Sequence, residues 1–545
     1  MAVPELPADL VLTGGAVYTV DAARRWANAV AVREGRILGV GTAGEIARLA
    51  GPRTRVVELE GRMVLPGFQD AHLHVPHGGL YQLRCELHGT TDRGEYLARV
   101  ARYAAEHPDA EWISGGGWSM DSFPGGVPER AELDAVVADR PVFLPNRDGH
   151  TAWVNTRALE RARITRTTLD PPDGRIERDG AGEPSGALHE GAMHLVERLV
   201  PHVTQAEWEQ AILLAQAHLH PLGITACQDA TVEPEMLAAY RALAERGELT
   251  MRMEGNLRWT RERGEEQIAD MIDLRAQGTA GRFRIRGAKI FQDGVMENFT
   301  AAMLEPYLGK DTAGISMHEP EELRRMVTLL DAEGFQVHIH TIGDRAVREA
   351  LDAFDAAQRT NGRRDARHHL AHVQVVHPDD IPRFRELGVV ANVSPYWAVR
   401  SGYIEELTLP FVSRETARWI YPFGSLHRAG AALAFGSDWA VSTANPLLEI
   451  EVAVTRVPPH DRDAEPFLPE ERLDLPSAIA AFTIGSAYVN HLDRETGSIE
   501  PGKLADLAVL DRNVFDPGAG RIGDARVVLT LVEGEAVYAD YGFGL

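Results

Sequence analysis

Across its middle the chain alternates short apolar runs with amphipathic stretches, and this alternation restricts the fold more than any other feature. The apolar runs are Met63-Val64-Leu65, Ile224 to Gln228, Thr250 to Glu254, Phe283 to Phe291, Gln336 to His340, His369 to Val373, Val389 to Val393 and Ala432 to Gly436. Stretches of helical character separate most of them, among them Glu207 to His220, Pro234 to Arg246, Glu319 to Glu333 and Arg345 to Arg359. Eight strands alternating with helices predict an α/β chain folded as a (β/α)8 TIM barrel, with its chemistry at the C-terminal ends of the strands. A doubly wound sheet is the structural alternative. It would want a Gly-x-Gly-x-x-Gly fingerprint, which Gly115-Gly116-Gly117 does not supply.

Both ends of the chain read differently. Asp9 to Leu12, Ala16 to Val20, Ala29 to Val32, Arg36 to Val40 and Arg55 to Leu59 are β-rich, and Gly14-Gly15, Glu34-Gly35 and Glu60-Gly61 punctuate them as turns. Asp506 to Leu510, Val527 to Val532 and Ala536 to Tyr538 have the same texture. Residues 1–64 and 488–545 are therefore expected to form one small β-sandwich domain, with the barrel, 65–487, inserted between them. From His74 to Ile224 the chain is far longer than a strand-to-helix loop requires. That places a lid-like insertion at about 76–205, after barrel strand 1.

The chain of 545 residues, 44% of them hydrophobic, is long enough to bury a large core. Its 56 basic and 80 acidic residues give a formal charge of 56 − 80 = −24, which argues against nucleic acid and anionic membranes as partners. Two cysteines, Cys85 and Cys227, are no disulfide framework. Glu5 and Asp9 open the chain without a basic-then-apolar signal, and no uncharged apolar run is long enough to span a bilayer. A cytoplasmic protein acting on a small molecule is expected, with a homodimer left open.

Polar residues gather at the C-terminal ends of the expected strands. The first contributes His72 and His74, two apart and so on one side. The fourth contributes Lys289, the fifth His340, the sixth His372 and the eighth Asp438. Four imidazoles, a lysine and a carboxylate on one rim make a nitrogen and oxygen donor set suited to zinc or a similar divalent ion. His338 shares a face with His340 and competes for its role, but His340 is nearer the strand end. By alternation His369 points away from His372, whereas His368 shares its face. An unpaired ammonium on an apolar strand is costly. Lys289 is therefore expected to be paired with Asp293, to act as a Schiff-base lysine, or to carry a carbamate.

These segments resemble the amidohydrolase superfamily, and within it the YtcJ-like branch that includes N-substituted formamide deformylases. The likeness is carried by Leu65 to His74, Asp148 to Asn155, Lys289 to Gly294, His340 to Val347, Gly436-Ser437-Asp438 and Gly497 to Leu507. It implies a metal-dependent hydrolase with a β-sandwich beside the barrel and two divalent ions, zinc the first choice. His72, His74 and Asp438 would bind the more buried ion. Lys289, as a carbamate formed with carbon dioxide, would bridge to a second ion held by His340 and His372. The implied reaction is hydrolysis of an amide, N-substituted formamide or cyclic amide C–N bond by a metal-activated hydroxide. Asp438 would be the catalytic base and proton carrier, and His150, from the insertion, would stabilise the oxyanion. Trp118, Phe291, Met296, Phe299, Tyr396, Trp397 and Trp439 are candidates for an apolar pocket, and Arg147 and Arg400 for a substrate carboxylate. Two rivals stand beside this reading: a deaminase or an ester or lactone hydrolase on the same scaffold, and a non-catalytic binding protein.

Overall fold

A computed structural model of the chain describes residues 7–518 and 520–541. Of the expected sandwich, residues 1–6, 519 and 542–545 lie outside the described residues, Glu5 among them. Eight parallel strands follow one another in chain order around a nearly closed barrel. They are β1 (Phe68–Leu73), β2 (Ile224–Val232), β3 (Arg252–Arg258), β4 (Phe283–Phe291), β5 (Gln336–Thr341), β6 (His369–His372), β7 (Val390–Val393) and β8 (Leu433–Phe435). The seam between β8 and β1 is closed just beyond β8, where the Asp438 N–H donates to the His72 carbonyl at 2.7 Å.

The apolar periodicity explains why these segments take their places. Ile290, Val337, Ile339 and Leu370 pack in one buried cluster with Leu323 and Val327 of the helix Pro320–Ala332 and with Val347, Leu351 and Phe354 of the helix Asp344–Asn361. The helical residues recur at intervals of three and four, which puts them on one face. The helix before β2, Gln205–Leu219, starts at a capping box in which Thr204 and Glu207 satisfy each other's backbone N–H groups.

The first barrel strand is not the run expected. Met63–Pro66 lies in the terminal sheet, where it pairs antiparallel with Leu507–Leu510 and parallel with Leu10–Tyr18, and so ties the two chain ends together. Gly67 is the crossing point. Its N–H donates to Asp506, whereas the Phe68 N–H donates to Gly223 beside β2. A Cβ on Gly67 would sit 2.3 Å from the Thr225 methyl, so the change of sheet requires glycine. The terminal sheet has eight strands drawn from both ends of the chain. Gly14 and Gly15 do not end a strand there. Leu10–Tyr18 runs through them with a register shift between Thr13 and Val17, which is a bulge rather than a turn.

Between β1 and β2 stands a separate six-stranded sheet, its strands falling between Cys85 and Glu190. The sheet has its own apolar core around Trp118, Phe123, Leu144 and Trp153. Among the described residues no helix is long and apolar enough to cross a membrane.

Candidate metal centre

The strand register explains how the barrel assembles its rim. Lys289 on β4 lies opposite His338 on β5, and His338 lies opposite His369 on β6. Paired residues of parallel strands point to the same side, so these three form one layer inside the barrel. His338 and His369 rings are 4.0 Å apart there. His340, two residues further along, is one layer nearer the opening. Simple alternation fails for His372. Its φ is +73° and that of Val373 is +50°, so the chain leaves the strand in the left-handed region and swings His372 onto the inner side as well. His369 therefore faces inward, contrary to expectation. His368 lies outside, stacked on Phe354, with Nε2 3.0 Å from Asp331.

Six side chains meet at the opening. Asp438, itself at φ +57°, lies among the histidines. Its Oδ1 is 3.4 Å from His72 Nε2 and 3.3 Å from His74 Nε2, and its Oδ2 is 3.7 Å from His372 Nδ1. The donor atoms of His72, His372 and Asp438 all lie within 4.8 Å of one another. The His340 and His372 rings are 4.6 Å apart, and His340 Nε2 is 3.2 Å from the Gly294 carbonyl, which leaves Nδ1 for the site. Gly436 makes room for the cluster, since a Cβ there would meet that of His72 at 2.5 Å. Behind the rim, His72 Nδ1 is 2.9 Å from His338 Nε2, and Asn256 holds His338 in turn at 2.9 Å. His338 thus orients His72, the supporting contact that a metal-ligating imidazole needs.

The electrostatics fit a cation. His72 Nε2, Asp438 Oδ1 and Lys289 Nζ are buried and have no hydrogen-bond partner among the described residues. Burial first, and neighbouring cations second, drive the His72 and His340 imidazoles well below their usual range, and burial does the same to His372. They are neutral and keep a free lone pair. Burial alone would raise the Asp438 carboxyl, but His372, His74 and Lys289 outweigh it and hold it below the ordinary value. Burial lowers Lys289 to about 7, so near neutrality much of it is free amine. Lys289 does not pair with Asp293. That carboxylate instead accepts the N–H groups of Ala302, Ile342 and Gly343 at 2.8–3.0 Å.

His150 reaches the same cavity from the inserted sheet, with its ring 5.2 Å from that of His340. Its Nδ1 is 2.8 Å from Glu190 Oε2, while Glu190 Oε1 accepts from the Thr300 hydroxyl at 2.6 Å. Burial opposes charge on His150, but Glu190 wins and raises it to about 9. Glu190 thereby joins the insertion to the loop after β4.

Of the aromatic residues expected in a pocket, Phe291 and Trp397 line this cavity, and Tyr403 and Tyr421, not foreseen, join them. Trp118 is in the core of the inserted sheet, donating to the Leu144 carbonyl, and Trp439 stacks on His218. Arg400 is engaged by Glu405 at the surface, and Arg147 packs over the Trp397 and Tyr403 rings. Neither arginine lines the cavity.

A family model described as the amidohydrolase family matches residues 55–538. The chain belongs to the amidohydrolase family. Amidohydrolases of this superfamily are metal-dependent enzymes, in keeping with the donor set just described. Several relatives extend along nearly the whole chain. The protein LONG AFTER FAR-RED 3 of Arabidopsis thaliana is 32% identical over 97% of this chain and 92% of its own length. The N-substituted formamide deformylase of Arthrobacter pascens is 27% identical over 98% of this chain and 99% of its own. Among solved structures, an uncharacterized metal-dependent hydrolase from Pyrococcus furiosus superposes with a TM-score of 0.72 at 27% identity, covering 93% of this amidohydrolase and all of that chain.

Proposed function

We propose that this amidohydrolase cleaves the C–N bond of a neutral amide, with an N-substituted formamide or another small acyl amide as the leading substrate. The observation that carries the reading is the set of orphaned donor atoms, His72 Nε2, Asp438 Oδ1 and Lys289 Nζ, buried among neutral imidazoles at the floor of one cavity. The resemblance to a formamide deformylase along the whole chain supports the same substrate class.

His72, His74 and Asp438 are proposed to hold one divalent ion, zinc the first choice, and His340 and His372 a second. When bound, such ions activate water and polarise a carbonyl. Lys289 is proposed to join the two sites as a carbamate. Its neutral Nζ attacks carbon dioxide, an N–C bond forms, one N–H proton leaves to solvent, and the product carries a single negative charge. A free amine at neutral pH is what that step needs, and burial of Lys289 supplies it.

The remaining roles fall to Asp438 and His150. Asp438, kept ionised, takes the proton of the attacking water and passes it to the departing nitrogen, which must leave as an amine. His150, kept protonated by Glu190, donates from Nε2 to the oxygen on which negative charge develops. Phe291 and Trp397 offer apolar contact to the N-substituent.

The test is a turnover screen of the metal-loaded enzyme against formamides, other amides, cyclic ureas, esters and lactones, reading free amine or acid released. Formamide or amide cleavage is expected. Turnover of esters or lactones with every amide inert would replace this reading by an esterase or lactonase.

A further inference from the structure

Besides Asp438 and the imidazoles, two carboxylates line the cavity, Asp148 and Glu297. Asp148 is satisfied. Its Oδ1 accepts the His150 N–H at 3.1 Å and its Oδ2 the Tyr403 hydroxyl at 3.2 Å, and the Arg147 guanidinium attracts it. The charge of His150 is in turn balanced by Glu190. Glu297 has no such complement. It is 8% exposed, and the Thr408 hydroxyl, 3.4 Å from Oε1, is its one side-chain hydrogen-bond partner among the described residues. None of the ion pairs among the described residues includes it. The charges that reach it, those of His150 and Arg147, do not pair with it: His150 is held by Glu190, and Arg147 packs over the Trp397 and Tyr403 rings.

Burial, with Asp148 second, raises the Glu297 carboxyl to about 7, so its charge is disfavoured until a cation arrives, and folding alone gives no reason to keep such a group against a cavity. A ligand that brings its own cation ionises the carboxyl and pairs with it, and because Glu297 has no ion-pair partner among the described residues the pairing displaces none. We propose that Glu297 is the specificity residue of this cavity and pairs with a basic nitrogen, an ammonium or amidinium, that the substrate carries apart from the bond to be cleaved. The inference rests on the amide reading only for the choice of probe. It also assigns the cavity a preference opposite to that of a site built for substrate carboxylates.

The experiment compares two amides of matched length, N-(4-aminobutyl)formamide and N-pentylformamide, which differ by an ammonium in place of a methyl. Binding to the metal-loaded enzyme is measured by calorimetry, with amine or formate release followed in parallel. Wild type is expected to bind the ammonium amide at least tenfold more tightly. Glu297→Gln, which keeps the shape and removes the charge, should abolish that ratio, and Glu297→Asp should retain part of it. Equal affinities in wild type, preference for the pentyl amide, binding of neither, or an unchanged ratio in Glu297→Gln would each overturn the proposal. If Glu297→Gln does not fold, the wild-type ratio and Glu297→Asp decide. Selective binding of the ammonium amide without cleavage would uphold the role of Glu297 and refute amide hydrolysis.

Discussion

Replacing Glu190 by Gln removes the charge that keeps His150 protonated while preserving the acceptor for Thr300. In the native fold His150 is raised from 6.5 to about 9. At 1.36 kcal/mol per pH unit, that preference for the imidazolium is worth roughly 3 kcal/mol of folding stability. The sign follows from linkage. A group whose folded value is raised contributes fully below its unfolded value, here 6.5, and its contribution is lost as pH rises through 9. The stability gap between wild type and Glu190→Gln should therefore be widest at pH 6.5 and below and should close between pH 6.5 and 9. With an unfolding entropy of about 2.1 cal/mol/K per residue, a chain of 545 residues loses about 1 °C of Tm per kcal/mol, so the gap should approach roughly 3 °C and then vanish. Differential scanning fluorimetry of chelator-treated protein across this range reads it without a contribution from bound metal. A gap that stays constant from pH 6 to pH 9.5 would refute the pairing as the cause of the charge on His150. Over the same window, the alkaline fall of kcat/KM in the metal-loaded enzyme should move to lower pH in Glu190→Gln.

Other consequences follow from the same geometry. Lys289→Ala should lose the second ion and most turnover, with partial recovery on adding a short carboxylic acid, read by elemental analysis and activity together. Depletion of carbon dioxide during reconstitution should lower metal uptake in wild type and leave that of Lys289→Ala unchanged. Asp438→Asn should cost at least about 3 kcal/mol in kcat/KM for amides, and variants with restored metal content but undiminished turnover would remove Asp438 from the proton path. Gly67→Ala should destabilise the fold by about 1–3 kcal/mol, because its Cβ would meet Thr225 at 2.3 Å, and chemical denaturation measures that directly.

Much of the barrel was legible because strand and helix periods differ and because β-branched runs recur at regular intervals. Where alternation was trusted too far, the backbone explains the miss. His372 reaches the inner side only through two residues in the left-handed region, which no period-two pattern contains. Met63–Pro66 and Phe68–Leu73 read as one strand, since a sheet change across a single glycine leaves no apolar break. The histidines, Lys289 and Asp438 stood out because charged and imidazole side chains are rare inside apolar strands. Glu190, Glu297, Tyr403 and Tyr421 carried no such mark. They lie in loops, in the short helix Gly402–Glu405 and in the inserted sheet, brought to the cavity by tertiary packing, as when Glu190 joins His150 to Thr300, which lies 110 residues beyond Glu190. For Glu190 one faint signal existed: His150 was expected to reach the rim from the insertion and stabilise an oxyanion, and a buried imidazole that must stay charged calls for a carboxylate.

The central claim, that the buried donors around Asp438 hold divalent ions required for amide cleavage, is tested most directly by metal titration of chelated enzyme. Zinc is added stepwise to protein of known concentration, and bound metal and formate release from an N-substituted formamide are measured on the same samples. The account predicts no activity without metal, uptake saturating at two ions per chain, and activity that rises with that uptake. Full formate release from protein shown by elemental analysis to be metal-free would contradict it.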